Sequence, residues 1–302
     1  MLLQIQTKRR HPDWLKVKLP SGESYATVRE LVKTNRLHTI CEEAKCPNLA
    51  ECWSHGTATF LILGDTCTRW CGYCNVKTGK PAELDLEEPR KVAESVKKLN
   101  LKYVVITSVT RDDLIDGGAS IFAETVREIK NEMPDCSVEL LIPDFKIRTG
   151  EILREGELNI DALNTVINNG PDVLAHNIEA VRRVFARVRP GGNYDVSLNL
   201  LRKIKEIDPE MPTKSSIILG FDETFDEIKQ TMLDLLRNNV DFLTLGQYLQ
   251  PSIKHVKIEK YYTPEEFKEL EKIGYELGFK HVEAGPLVRS SYRADKLNNI
   301  IR

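Results

Sequence analysis

No apolar run in this 302-residue chain approaches the ~18–20 residues that cross a bilayer, so no membrane-spanning helix and no membrane partner are expected. Charge of one sign is also scarce: the formal net charge is −2, which gives no general pull toward nucleic acid or an anionic surface. The stretch Met1 to Lys18 is basic, yet it has none of the apolar core of a secretory signal. No G-x-G-x-x-G follows the first strand-like run, which removes the usual sign of a dinucleotide site. A disulfide framework is lacking too. The seven cysteines are odd in number, and six of them crowd between Cys41 and Cys74. That argues for a reducing compartment, the cytoplasm, with the mitochondrial matrix or plastid as lesser alternatives.

What the chain does have is those six cysteines in two groups of three, Cys41-x4-Cys46-x5-Cys52 and Cys67-x3-Cys71-x2-Cys74. Thiolates are soft ligands for zinc, copper(I) or iron–sulfur clusters. Zinc sites usually pair two C-x2-C hooks to close a tetrahedron, and here the only such hook is Cys71/Cys74. A [4Fe–4S] cube held by three cysteines instead leaves one iron open. Two open cubes point to chemistry at both.

From Thr59 onward, short runs rich in Val, Ile and Leu alternate with helical patterns. The runs are Thr59–Leu63, Tyr103–Thr107, Ser137–Ile142, Pro171–Ala175, Lys214–Leu219 and Phe242–Leu245. They lack period-2 alternation, as strands buried on both faces of a parallel sheet do. Helices are predicted near 26–35, 88–99 and 119–131, and after capping boxes at Thr224/Glu227 and Thr263/Glu266. The expected fold class is α/β: a partial (β/α)6 TIM-like barrel with N- and C-terminal extensions. A doubly wound open sheet is the competitor. The predicted division is an arm of residues 1–56 carrying the first triplet, a barrel of residues 57–250, and an extension of residues 251–302 closing over the cluster of that first triplet. Thr107, Ser108, Asp144, His176, Asn177, Glu223 and Gln247 all fall at strand C-terminal ends, the face that carries active sites in such barrels.

Cys67-x3-Cys71-x2-Cys74, with Tyr73 before its last cysteine, resembles the motif of the radical S-adenosylmethionine (SAM) enzymes. More narrowly, the chain resembles the lipoyl synthases from about His11 to Lys296. The resemblance rests on the Cys41–Cys52 stretch, His55–Phe60, Val105–Ser108, Arg111–Leu114, Asp116–Gly118, Leu245–Pro251 and Gly285–Tyr292. It implies insertion of two sulfurs, at C6 and C8 of an octanoyl chain already attached to a carrier-protein lysine. The cluster on Cys67, Cys71 and Cys74 would bind SAM and generate a 5′-deoxyadenosyl radical. A second [4Fe–4S] cluster on Cys41, Cys46, Cys52 and Ser291, the last preferred over Ser290, would donate the sulfur. Tyr73, Asp116, Gly117, Gly118, Asn177 and Lys214 (with Ser216) form the SAM-binding set that the resemblance implies. Partners would be octanoylated carrier domains of the 2-oxoacid dehydrogenase E2 or glycine cleavage H protein type, and an electron donor such as flavodoxin or ferredoxin. Residues 146–159 depart from the family pattern by being longer and more charged, which leaves the boundary after the third strand open.

Neighbouring readings fit less well. Biotin synthase-like enzymes draw sulfur from a cluster ligated within the barrel, which an N-terminal triplet does not match. Methylthiotransferases carry their extra cluster on a separate N-terminal domain, for which about forty residues leave no room. A zinc-containing nucleic-acid module would need basic and aromatic patches that this sequence lacks.

Overall fold

Strands buried at nearly every position need cover on both faces, and a parallel sheet wrapped by helices supplies it. The computed structural model describes residues 11–16, 23–54, 58–149 and 152–301. The basic stretch at 1–10 and 17–18, and the motif residues His55, Gly56 and Thr57, lie outside them.

The N-terminal arm holds α1 (Glu23–Thr34), β1 (His38–Thr39), α2 (Ile40–Glu43) and α3 (Leu49–Ser54). It has a small core of its own, in which Val28, Val32, Cys41, Trp53 and Ala58 pack together. Then follow β2 (Thr59–Ile62), the short pair β3 (Thr66–Cys67) and β4 (Lys77–Thr78), α4 (Glu88–Lys98), β5 (Tyr103–Ser108), α5 (Ala119–Glu132) and β6 (Ser137–Leu141). An antiparallel hairpin of β7 (Lys146–Thr149) and β8 (Ile152–Leu158) accounts for the long charged stretch after the third barrel strand. After it come α6 (Ile160–Ile167), β9 (Val173–Ala175), α7 (Arg182–Val188), α8 (Tyr194–Ile207), β10 (Thr213–Leu219), α9 (Phe225–Arg237), β11 (Phe242–Gln247), α10 (Pro264–Leu277) and β12 (His281–Gly285). A 3-10 turn (Ala294–Leu297) and α11 (Asn298–Ile301) complete the described chain.

The main sheet runs β1-β2-β5-β6-β9-β10-β11-β12, and every pairing is parallel except β1 with β2. Each new strand joins the same growing edge. The order never reverses, as it does at the switch point of a doubly wound sheet. This is the wound-up order of an open α/β barrel, and all six expected strands are in it. A seventh parallel strand, β12, lies within residues 251–302. Of its residues only Val282 is buried, so its sequence carries no continuous apolar run. Both expected capping boxes are formed, at α9 and α10.

The two faces of β5 show how the layers divide. Val104 and Ile106 face the helices, whereas Tyr103 and Val105 join Val173, Phe242, Ala294 and Leu297 in a separate cluster beneath the site. Within the sheet, Lys214 Nζ reaches both Glu139 oxygens at 2.8 and 3.0 Å, and the Tyr103 hydroxyl donates to Glu139 at 2.6 Å. Both members of this ion pair are almost fully buried.

A buried ion pair is most costly when half of it is removed, because the survivor is left desolvated and alone. Lys214→Ala should therefore cost about 3–5 kcal/mol of stability. Lys214→Met combined with Glu139→Leu should cost less than that single change, which urea unfolding of both variants would check.

Candidate active site

All six clustered cysteines and Ser291 line one cavity of about 340 Å³, which runs from the first residues of β2 and β5 to the C-terminal ends of β5 and β11. Each arrives on a different local structure. Cys41 sits in α2, whose first turn is capped by Thr39 accepting from Glu42 N–H. Cys46 N–H donates to Cys41 O at 2.9 Å, and Cys52 N–H to Asn48 O at 2.8 Å, so the first triplet is a chain of tight turns. Cys67 ends β3, and its sulfur receives the backbone N–H groups of Arg69 and Thr110 at 3.4 and 3.3 Å. Cys71 O accepts from Cys74 N–H at 3.1 Å. None of the cysteines is in a disulfide.

The loop between Cys67 and Cys71 is pinned by its middle residue. The Arg69 guanidinium lies between Asp112 and Asp144, with bonds of 2.7 and 2.6 Å to the first and 2.7 Å each to the second. Burial alone would raise the Asp144 pKa, but the Arg69 bonds and charge more than reverse this and hold it at about 2. Other tethers join the two triplets and the segment after β12. Asn75 donates to Glu43 O at 2.8 Å, Asn48 to Leu287 O at 2.6 Å, Tyr292 to Glu51 at 3.0 Å, and Thr59 to Ser291 Oγ at 2.9 Å.

Donor chemistry fits iron–sulfur clusters. Burial pushes the thiols of Cys41 and Cys74 up to about 12 and raises those of Cys46 and Cys71. Such thiols stay protonated until a metal displaces the proton. Ser291 adds a hard oxygen to the lining of the same cavity.

Of the remaining candidates, Tyr73, Asn177 and Ser216 line the same cavity. Asp116, Gly117 and Gly118 stand apart from its walls. Asp116 accepts from Gly118 and Ser120 N–H at the start of α5, and Gly118 (φ 91°) lies so close to Leu63 that a Cβ would meet its methyl at 2.3 Å. Lys214 is engaged with Glu139, as described above. Two residues missed in the sequence do face the cavity, Glu179 and Arg189. Glu179 has φ 68°, a left-handed conformation held by bonds from its N–H to Ser216 O and from Ile218 N–H to its own carbonyl. It accepts from Asn177 at 3.1 Å, and burial raises its pKa against the opposing charge of Arg189. Asn177 Oδ1 and Ser108 Oγ are buried without a hydrogen-bond partner among the described residues, as groups awaiting a polar ligand would be. His176 donates from Nδ1 to Ile142 O at 2.9 Å, which leaves Nε2 to accept from Ser197 (3.1 Å) and Arg189 (3.4 Å). Burial first, and Arg189 second, push its pKa down to about 3.

Comparison with known proteins agrees with this geometry. Residues 61–235 match the model of the radical SAM superfamily, and residues 1–46 that of the N-terminal domain of lipoyl synthase. The chain is 55% identical to the lipoyl synthase of Oceanobacillus iheyensis, over 96% of this chain and 90% of that one. It is 54% identical to that of Bacillus subtilis, over 96% and 94%. In fold it is similar to methylornithine synthase (TM-score 0.54, 13% identity, 87% of this chain and 78% of that). It is also similar to HydG, a maturase of the [FeFe]-hydrogenase (0.54, 14%, 93% and 68%).

The His176 environment makes a pH prediction. An unfolded histidine binds a proton near pH 6.5, whereas this one resists until about 3. Protons therefore favour the unfolded chain between those values, and the stability that His176 contributes is complete above pH 6.5 and lost as pH falls toward 3. Urea unfolding should show a slope of at most about 1.4 kcal/mol per pH unit from this group, absent in His176→Gln.

Proposed function

Because the chain belongs to the lipoyl synthase family of radical SAM enzymes, we propose that it inserts sulfur at C6 and C8 of an octanoyl chain carried on a protein lysine. The observation that carries this reading is the convergence of both cysteine triplets and Ser291 on one cavity. Cys67, Cys71 and Cys74 would hold the [4Fe–4S] cluster that binds SAM, and Cys41, Cys46, Cys52 and Ser291 would hold a second. When bound, these groups supply the radical and the sulfur.

The protein's own residues position and enclose. Tyr73, Asn177, Glu179, Arg189, Ser108 and Ser216 receive SAM, with the spare acceptor of Asn177 and the hydroxyl of Ser108 satisfied by its polar atoms. Asp116, Gly117 and Gly118 act one step removed, by setting the start of α5 against Leu63. Lys214 does so by holding Glu139. Thr59 donates to Ser291 Oγ, which favours the deprotonated oxygen that iron needs. A serine oxygen is a harder, weaker partner for this cluster than a fourth thiolate, which suits a cluster that gives up sulfur.

The labour divides along the chain. Residues 1–56 bring the sulfur-donating cysteines, residues 57–250 six strands of the radical-generating barrel, and residues 251–302 its seventh strand and the segment that closes over the sulfur-donating cluster. The substrate arrives on a carrier domain, of E2 or H-protein type, and electrons from a flavodoxin or ferredoxin. The reducing chemistry belongs in the cytoplasm. Among the described residues no helix is long and apolar enough to cross a membrane.

The two triplets should separate on mutation. Cys71→Ala should abolish reductive SAM cleavage, since no iron would remain to chelate SAM. Cys46→Ala should keep 5′-deoxyadenosine formation while stopping lipoyl product, both read by mass spectrometry. Equal loss of 5′-deoxyadenosine in two well-folded variants would contradict the assignment.

A further inference from the structure

We propose that the barrel floor and the segment after β12 together form a ruler for the acyl chain, with Tyr103, Val105 and Ala294 receiving its methyl end. This inference rests on the octanoyl reading given above. Carbons along a saturated chain present nearly equivalent C–H bonds, so choosing C6 and C8 must come from geometry. Measuring from the carbonyl end passes through a flexible lysine arm, and a soft arm defines position poorly. Measuring from the methyl end needs a fixed stop.

The structure has one. The mostly apolar cavity lined by the cysteines continues past Thr107 to Val105 and Tyr103, which share one face of β5, and to Ala294. Beneath, Val173, Phe242 and Leu297 close the space. The stop is rigid: the Tyr103 hydroxyl is bonded to Glu139, itself held by Lys214. The turn carrying Ala294 is tied down by Lys296 to Glu283 at 2.7 Å and by Ser137 to Asn298 at 2.7 Å. Ala294 also follows Ser291 by one turn, its N–H donating to Ser291 O at 3.4 Å. The floor and the proposed ligand of the sulfur-donating cluster are therefore on one short rigid segment. Their separation is set by backbone, not by the substrate.

The test uses the holoenzyme without reductant and measures equilibrium binding of carrier peptides bearing unmodified, hexanoyl, octanoyl or decanoyl lysine. The native protein should bind octanoyl best, with hexanoyl weaker by about fourfold for each methylene left unburied. Ala294→Leu fills the floor and should weaken octanoyl by about tenfold relative to hexanoyl. Val105→Ala, which only removes volume and leaves the turn untouched, should instead improve decanoyl relative to octanoyl. Equal changes for all lengths in both variants would overturn the ruler. A native protein indifferent to acylation would overturn the octanoyl reading itself, and the ruler with it.

Discussion

An arginine between two carboxylates holds this active site together. The loop that carries the second cysteine triplet leaves β3 at Cys67 and is neither helix nor strand from there to Cys74, so its shape must come from elsewhere. Arg69 supplies it through two-pronged bonds to Asp112 beyond β5 and to Asp144 beyond β6. Such charge-assisted pairs fix direction as well as distance. Because Arg69 and Asp144 are buried, any other arrangement would strand a charge away from water. The clamp thus converts the positions of two strand ends into the position of the cysteine loop.

The same device recurs wherever irregular chain must be held. Asn48, Thr59 and Tyr292 stitch the first cysteine triplet and β2 to the segment after β12, and Asn75 joins the second triplet to the first. These partners are far apart in sequence, and their bonds close the site across the unpaired side of the sheet. Regular structure positions the cavity, and polar tethers position what lines it.

That division explains what could be read from the sequence. The six strands from Thr59 to Phe242 were legible because burial on both faces leaves runs rich in Val, Ile and Leu without period-2 alternation. β12 was not, since an edge strand with one buried residue looks like loop. The gathering of the six cysteines at one cavity was legible because soft-donor chemistry is written in residue type and spacing. Glu179 and Arg189 were not, because each comes from a connection and acquires its role only where the barrel brings it beside Asn177. Lys214 shows the reverse case. Its place in a strand suggested a ligand contact, but its partner Glu139 lies 75 residues away and could not be foreseen.

The most direct test of the clamp is the electron paramagnetic resonance spectrum of the reduced SAM-site cluster in Asp144→Asn, recorded with and without SAM. This change removes one charge from the clamp and no ligand from the cluster. The account predicts native iron content, a SAM-induced spectral change, and an affinity for SAM weaker by about tenfold, the value of one charged hydrogen bond. A spectrum and a SAM affinity identical to those of the native protein would contradict it.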